Sequence, residues 1–232
     1  GTGDIRGIIN RMDYINDGNM YSETSLGVQG IWLSPIFESP SYHKYDASNY
    51  YQVDSKFGTE ADLIELVELC HERNVKVILD LAINHSAKNN EWFTRFAEAH
   101  KNDSAGDPYY DIYSWATLEN RTPGVAYSKI PGSDEYYECN FSTEMPELNF
   151  DNPVVREEMV KVAKYYLDLG IDGFRFDAVK YIYFNNTEKS VEFWKWYMDE
   201  LKAIKPDIYC VGECWSGESE TLRYIEALNC FN

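Results

Sequence analysis

The sequence lacks the features of several large classes of protein. Lys and Arg number 21 against 39 Asp and Glu, which gives a formal net charge of −18. Nucleic acids and anionic lipid surfaces are bound by clustered basic side chains, so we expect no nucleic-acid partner. No apolar run approaches the roughly 20 residues that cross a bilayer, and we expect no membrane-spanning segment in this chain. An acidic protein of this kind suits neutral ligands and metal ions.

Cysteine is scarce, and its spacing is irregular. The five cysteines include no Cys-x-x-Cys pair. We therefore expect unpaired thiols and no structural zinc site. No signal peptide or lipidation motif is visible, and the sequence begins at Gly1, so a targeting signal could precede it.

Aromatic residues, by contrast, are abundant. They make up 16% of the chain, with 19 Tyr and 6 Trp. Sugar rings present flat C–H faces, so an aromatic-rich cleft suits carbohydrate, although most of these rings are expected to belong to the core.

Four short runs that are apolar on both faces predict buried strands. They cover residues 30–35, 75–83, 171–177 and 208–213. Helical patterns lie between them, at 60–73 after the N-cap Thr59, from Pro153 to Gly170, and at 188–203. Alternating strands and helices with short links predict parallel strands joined by right-handed crossovers.

The interval 84–149 interrupts this alternation. It is rich in Asn, Asp, Tyr and Gly and contains one short helical pattern near residues 91–100. A segment this long between a strand and a helix is better interpreted as an inserted subdomain than as a loop.

Polar side chains follow each predicted strand, as they do in a (β/α)8 barrel, where the chemistry lies on the loops after the strands. An open doubly wound sheet shares this property, but its usual Gly-rich phosphate turn is missing here. We therefore predict an α/β fold that is part of a (β/α)8 TIM barrel.

One strand places a carboxylate beside a cation. Side chains alternate along Gly173-Phe-Arg-Phe-Asp177, so Arg175 and Asp177 share one face and the phenylalanines the other. In a barrel the phenylalanines would pack on the outer helices. A nearby cation keeps Asp177 ionised, as a nucleophile requires, although a purely structural Arg–Asp pair is the alternative.

A second carboxylate, Glu213, ends the next strand. Its neighbours Cys214 and Trp215 predict partial desolvation, which would raise its pKa and suit a proton donor. A buried, paired glutamate is the alternative. One ionised and one protonated carboxylate about 5 Å apart form the arrangement of retaining glycosidases.

Five segments, in the same order along the chain, resemble signature regions of the α-amylase family of glycoside hydrolases. They are Ser41-Tyr-His-Lys-Tyr-Asp46, Asp80-Leu-Ala-Ile-Asn-His85, Met145-Pro-Glu-Leu-Asn149, Gly173-Phe-Arg-Phe-Asp-Ala-Val-Lys180 and Val211-Gly-Glu-Cys-Trp215. The resemblance implies that Asp177 is the nucleophile, that Arg175 orients it and that Glu213 is the acid/base.

The same resemblance implies substrate contacts. Tyr45 would stack on the sugar being cleaved with His43 beside it, and His85 would hydrogen-bond that sugar. Lys180 would contact the leaving-side sugar, although a solvated loop lysine is the alternative.

The resemblance also implies the domain organisation. Residues 1–85 would be the first part of the catalytic barrel, 86–149 the family's inserted domain B, and 150–232 the continuation of the barrel. The four predicted strands would be the second to the fifth. The family's third essential aspartate lies beyond Asn232, so we expect a part of a longer chain that is not catalytically competent alone.

A calcium site is implied at the start of the chain. Gly1-Thr-Gly-Asp4 resembles the tail of the family's calcium loop, with Thr2 and Asp4 as ligands for Ca²⁺. The alternative for Asp4 is the N-cap of a helix over residues 5–15.

These features predict a retaining glycoside hydrolase that cleaves α-1,4-glucosidic bonds in starch, maltodextrins or related α-glucans. Alternatives are an oligo-1,6-glucosidase or neopullulanase-like hydrolase, a trehalose-forming transglycosylase and, more remotely, a non-catalytic amylase-like domain. An extracellular or cell-surface location is expected for a polymer-degrading enzyme, and a cytoplasmic one for an oligosaccharide hydrolase.

Overall fold

A computed structural model describes residues 3–231 of the protein. In chain order the strands are β1 (Gly30–Leu33), β2 (Phe37–Glu38), β3 (Asn49–Val53), β4 (Lys76–Leu81), β5 (Trp115–Ala116), β6 (Tyr127–Lys129), β7 (Tyr136–Glu138), β8 (Gly173–Phe176), β9 (Tyr209–Glu213) and β10 (Asn229–Phe231). The helices are α1 (Ile5–Ile9), α2 (Met12–Ile15), α3 (Glu60–Glu72), α4 (Glu91–Lys101), α5 (Pro153–Asp168), α6 (Thr187–Ile204) and α7 (Glu218–Ile225), and a 3-10 turn covers Val179–Tyr181.

The central feature is a sheet with the strand order β1-β4-β8-β9-β10. Every neighbouring pair is parallel, so the carboxyl ends of the strands meet at one edge. This is the arrangement of part of a (β/α)8 barrel. The sheet has one strand more than the four that the sequence predicts, because β10 adds to β9 with Phe231 opposite Glu213.

Helices α3, α4, α5 and α6 form where local signals predict them. Thr59 caps α3 through a reciprocal capping box with Asp62, and the side chain of Asn152 accepts a hydrogen bond from Val154 N at the start of α5. Gly170 ends this segment at φ +98°, a left-handed conformation that glycine adopts without strain. The long helices α3, α5 and α6 each bury one largely apolar face.

Side chains of β8 point alternately to its two faces, as the sequence predicts. The Phe176 ring packs on α6, with its centroid 4.9 Å from Trp194 and 5.6 Å from Tyr197. Arg175 faces the other side, toward the interior of the partial barrel, and lies 5.2 Å from the Trp32 ring on β1.

The region predicted as one helix over residues 5–15 is divided. It forms α1 and α2, and the chain turns at Asn10 and Arg11, where the Arg11 amide donates to Ile8 O instead of continuing the α-helical pattern. The carboxylate of Asp4 caps α1 by accepting a hydrogen bond from Gly7 N at 2.6 Å.

The interval after β4 forms a separate layer, here called the insertion (residues 86–149). It contains α4 and an antiparallel sheet with the order β5-β7-β6. Its two ends are joined: Leu148 N donates to Asn84 O at 2.9 Å, and His85 bridges Glu147. Both ends therefore stand beside the carboxyl edge of the central sheet.

A hairpin of β2 and β3 follows β1, and its connection, residues 39–48, lies at the same edge. Within residues 3–231, no helix combines the length and the apolarity that a membrane crossing needs.

Candidate active site

Three carboxylates converge on one guanidinium at the carboxyl edge of the sheet. Arg175 Nη1 donates to both oxygens of Asp80, at 2.9 and 3.1 Å, and to Asp177 Oδ1 at 2.6 Å. Its Nη2 lies 3.1 Å from Glu213 Oε1. The acids come from the ends of β4, β8 and β9, so the parallel register of the sheet brings them together.

Burial governs the electrostatics of this cluster. The pKa of Asp177 is raised to about 6, mainly by burial and also by the nearby Glu213 carboxyl, against the lowering effect of Arg175. Burial likewise raises the pKa of Asp80, to about 7, and Arg175 again opposes the shift. With a pKa of about 6, Asp177 is mostly ionised at neutral pH.

Glu213 is less enclosed than its sequence neighbours suggest. Its side chain is 28% exposed, against 16% for Asp177. Trp215 is 79% exposed and lines the same cavity as Glu213, so partial desolvation of Glu213 by its neighbours stays a prediction. Cys214 is fully buried, as expected for a residue that alternates with Glu213 along the chain.

The turn after β8 presents a backbone donor to Glu213. Ala178 has φ 48° and ψ 47°, a left-handed conformation that is uncommon for a residue with a side chain. Its amide donates to Glu213 Oε2 at 3.3 Å. A strained backbone at this point therefore helps to fix the carboxylate, and nothing in the sequence indicated it.

Tyr45 reaches the same cluster from the loop between β2 and β3. Its hydroxyl donates to Asp80 Oδ2 at 3.0 Å, and its ring centroid lies 5.8 Å from the Arg175 guanidinium. The ring of His43 lies 6.0 Å from that of Tyr45. Both residues thus stand beside the carboxylates.

His85 stands at the first end of the insertion and is buried. Within the described part of the chain, neither of its ring nitrogens has a hydrogen-bond partner. Burial lowers its pKa to about 4, so the ring is neutral at neutral pH. The Phe141 ring of the insertion lies 5.3 Å away.

An open cavity of about 540 Å³ adjoins the two carboxylates Asp177 and Glu213. Its lining also includes Phe141, Ala178, Lys180, Tyr181 and Trp215. Lys180 Nζ lies 5.6 Å from the centre of the Tyr181 ring, so this lysine belongs to the cavity wall as well as to the loop.

Two further residues complete the surroundings of the cluster. Trp32 donates from Nε1 to Asp80 Oδ2 at 3.2 Å, and the Phe231 ring lies 5.6 Å from the Arg175 guanidinium. Asp80 itself opens one of the signature segments, so its type and place could have suggested a role. Trp32 and Phe231 carry no such signal.

The predicted calcium ligands are only partly described. Thr2 lies outside the described residues. Asp4 uses one carboxylate oxygen for the helix cap, and among residues 3–231 its other oxygen has no hydrogen-bond donor. Among residues 3–231, no group of three or more His, Cys, Asp or Glu side chains is placed to hold a metal ion. The described residues alone do not form a calcium site, and the site remains a prediction.

Comparisons with known proteins agree with this geometry. The chain is 40% identical over 227 residues to Alpha-amylase 3 of Dictyoglomus thermophilum. The matched region covers 97% of this chain and 42% of that protein. It is 35% identical over 211 residues to the 4-alpha-glucanotransferase of Thermotoga maritima, covering 88% of this chain and 44% of that protein. Among solved structures, Amy13B of Eubacterium rectale superimposes with a TM-score of 0.88 at 38% identity, over 99% of this chain and 44% of that one.

The chain therefore spans less than half the length of these relatives. The family model described as "Alpha amylase, catalytic domain" matches residues 1–229, which is almost the whole sequence. The partial barrel, the carboxylates at its carboxyl edge and this match agree: the chain belongs to the α-amylase family and corresponds to part of its catalytic domain.

Proposed function

We propose that the full-length protein is a retaining glycoside hydrolase that cleaves α-1,4-glucosidic bonds in starch, maltodextrins or related α-glucans. One observation carries the proposal. Asp177 and Glu213, at the ends of adjacent strands, share the guanidinium of Arg175 and both line the same open cavity. The two carboxyl groups are also near enough for a hydrogen bond between them to raise the pKa of Asp177, and closely spaced carboxyl groups favour retention over inversion.

Each carboxylate has a distinct task in the two-step reaction. Asp177 attacks the anomeric carbon while Glu213 gives its proton to the departing glycosidic oxygen, so one C–O bond forms as another breaks. Glu213 then takes a proton from water, whose oxygen displaces Asp177 and releases the sugar with its original configuration. Arg175 holds Asp177 in place and disperses the negative charge of the cluster.

The surrounding side chains would bind the sugar. Tyr45 offers a ring face over the cluster, with His43 next to it, and the neutral ring of His85 offers both a donor and an acceptor to hydroxyl groups. Lys180 stands on the cavity wall, and the resemblance to the family suggests a contact with the leaving-side sugar. These four roles are proposals that follow from position.

The test is to replace each carboxylate in the full-length protein by its amide. Asp177→Asn and Glu213→Gln should each lower kcat on a chromogenic maltooligosaccharide by a factor of about 1,000 or more, since each removes a group that acts in the transition state. Asp168→Asn, an exposed position on α5, is the matched control and should leave kcat unchanged. Retention of more than a few per cent of activity in either active-site variant contradicts the proposal.

Stereochemistry gives an independent test. The first product released from a maltooligosaccharide should have the α configuration when followed by proton NMR before mutarotation. A β product would rule out the retaining mechanism while leaving the family unchanged.

Sugar transfer is the second candidate function, since the Thermotoga maritima relative is named as a glucanotransferase. The same carboxylates would serve, with a sugar hydroxyl taking the place of water. Incubation with maltotriose distinguishes hydrolysis from transfer, because transfer yields longer oligosaccharides.

Starch, pullulan and isomaltose tested side by side would distinguish α-1,4 from α-1,6 specificity. Activity on polymer would favour an extracellular location, to be checked by cell fractionation.

We also propose a calcium ion near Thr2 and Asp4. A carboxylate with one uncommitted oxygen is a suitable hard ligand, and other ligands would have to come from elsewhere in the full-length protein. The ion would stabilise the start of the barrel.

A further inference from the structure

The loop that carries Tyr45 contains a lysine that is buried although lysine is among the residues least often enclosed. The Lys44 side chain is 3% exposed. Its Nζ donates to Asp54 Oδ2 at 2.6 Å and to the carbonyl oxygen of Ser39 at 2.8 Å. Burying an ammonium group is costly unless its charge and hydrogen bonds are satisfied, and here two acceptors satisfy it.

The backbone of Lys44 is also unusual. It has φ 67°, in the left-handed region that residues with side chains rarely adopt. This conformation reverses the chain locally, so that Lys44 points into the hairpin while the next residue, Tyr45, reaches Asp80. A conformation of this kind is strained and persists only where surrounding contacts enforce it.

The partner of Lys44 is itself firmly held. Asp54 follows β3, where its amide donates to Ile36 O at 2.8 Å and its Oδ1 accepts from Lys56 N at 2.9 Å. The ion pair therefore ties the tip of the loop to the base of the hairpin. On the other side of Lys44, the Asp46 carboxylate accepts hydrogen bonds from the hydroxyls of Ser39 and Ser41.

We propose that Lys44 is a positioning residue for the reaction: through its buried ion pair with Asp54, it holds the backbone in the conformation that keeps Tyr45 over the Asp80–Arg175 pair. The inference rests on the proposed role of Tyr45 as the platform for the sugar. Lys44 does not touch the substrate. Its effect on the reaction passes through Tyr45.

A double-mutant cycle in the full-length protein tests this. Lys44→Met keeps the length of the side chain and removes the charge. It should lower kcat/KM on a maltooligosaccharide by about 10- to 100-fold, the loss that a displaced binding group produces. In a Tyr45→Ala background the same change should lower kcat/KM by less than about twofold, because the side chain that it positions is already gone.

Two further variants separate positioning from folding. Lys76→Met, at the opposite end of the sheet, also breaks a Lys–Asp ion pair and should leave kcat/KM unchanged. Lys44→Met/Asp54→Asn leaves no unpaired buried charge and should recover thermal stability but not activity. The proposal would be overturned if Lys44→Met/Asp54→Asn recovered both thermal stability and activity. It would also be overturned if Lys44→Met lowered kcat/KM equally with Tyr45 and with Ala at position 45. If the proposal for Lys44 fails in this way while Asp177→Asn is inactive, the proposed function still stands.

Discussion

Arg175 is almost fully buried, yet its charge is surrounded by acids. Asp80, Asp177 and Glu213 together bring three acidic groups against one guanidinium. The arginine lets these groups stand close together without a prohibitive repulsion, and the planar guanidinium offers separate nitrogens to separate partners. An ammonium group could not satisfy them in the same way, so Arg175→Lys is not a conservative change here.

The pH dependence of catalysis follows from the same cluster. Burial raises the pKa of Asp177 to about 6, and the proposed role of Asp177 as the nucleophile requires its ionised form. As the pH falls through this value, the nucleophile is protonated and activity declines. We expect the acidic limb of kcat/KM, which reports ionisation of the free enzyme, near pH 6 in buffers of constant ionic strength.

If the acidic limb lies below about pH 5, the lowering of the Asp177 pKa by Arg175 outweighs the raising of that pKa by burial. The Asp168→Asn variant provides the comparison, since an exposed carboxylate on α5 should leave the profile where it is.

At the scale of the elements, close contact between β8 and β9 depends on a residue without a side chain. A Cβ added at Gly173 would lie 1.6 Å from the carbonyl oxygen of Tyr209 on the neighbouring strand. The strands would have to separate at the first pair of their register, Gly173 opposite Tyr209, and the separation would disturb the pairing that leads to Asp177 and Glu213. Gly173→Ala should therefore destabilise the protein by more than about 3 kcal/mol, which is beyond the usual effect of a single substitution.

Gly30, the first residue of β1, is the matched control. A Cβ there would meet Lys76 O at 3.7 Å, an ordinary contact. Gly30→Ala should change stability by less than about 1 kcal/mol, as expected where nothing has to move. Chemical denaturation of both variants, with soluble yield, checks the difference, and equal effects would mean that β8 and β9 can part easily.

Much of this architecture follows from local sequence, and the exceptions have physical reasons. Strands β1, β4, β8 and β9 of the central sheet and the long helices carry apolar patterns and caps that act within a few residues. β10 was missed because Asn229, Cys230 and Phe231 are too few to display a period, and pairing with β9 alone makes them a strand. The strands of the insertion are equally short and mostly half-buried.

The residues of the candidate site likewise fall into those that the sequence predicts and those that it does not. Asp177, Glu213, Tyr45 and His85 could be predicted, because each lies within a segment that resembles a family signature. The pairing of Asp80 with Arg175 spans 95 residues, and the left-handed conformations of Lys44 and Ala178 depend on contacts made after folding. Neither kind of feature is encoded by neighbouring residues alone.

At the scale of the whole molecule, the proposed calcium ion bears on stability. An ion that binds only the folded protein raises the melting temperature in proportion to the logarithm of its concentration. Excess chelator should lower the melting temperature of the full-length protein, and added Ca²⁺ should restore it. Asp4→Ala should lose most of this response. Because the substitution also removes the cap of α1, the comparison is between the chelator shifts of the two proteins rather than their absolute values.

An unchanged melting curve in chelator would remove the calcium proposal. It would leave the assignment of Asp177 and Glu213 untouched, since neither residue lies at the start of the chain.

The joined ends of the insertion have a consequence for the order in which the chain folds. Bringing β4 to β8 closes a loop that contains the whole insertion, and the entropic cost of closure grows with the length of the loop. Once the insertion has folded, Leu148 is hydrogen-bonded to Asn84 and the chain emerges where it entered. The loop that must close when β8 pairs with β4 is then effectively much shorter. We therefore expect amides of β7 to be protected before those of β8 in pulse-labelled hydrogen exchange. Simultaneous protection would mean that the insertion and the barrel nucleate as one unit.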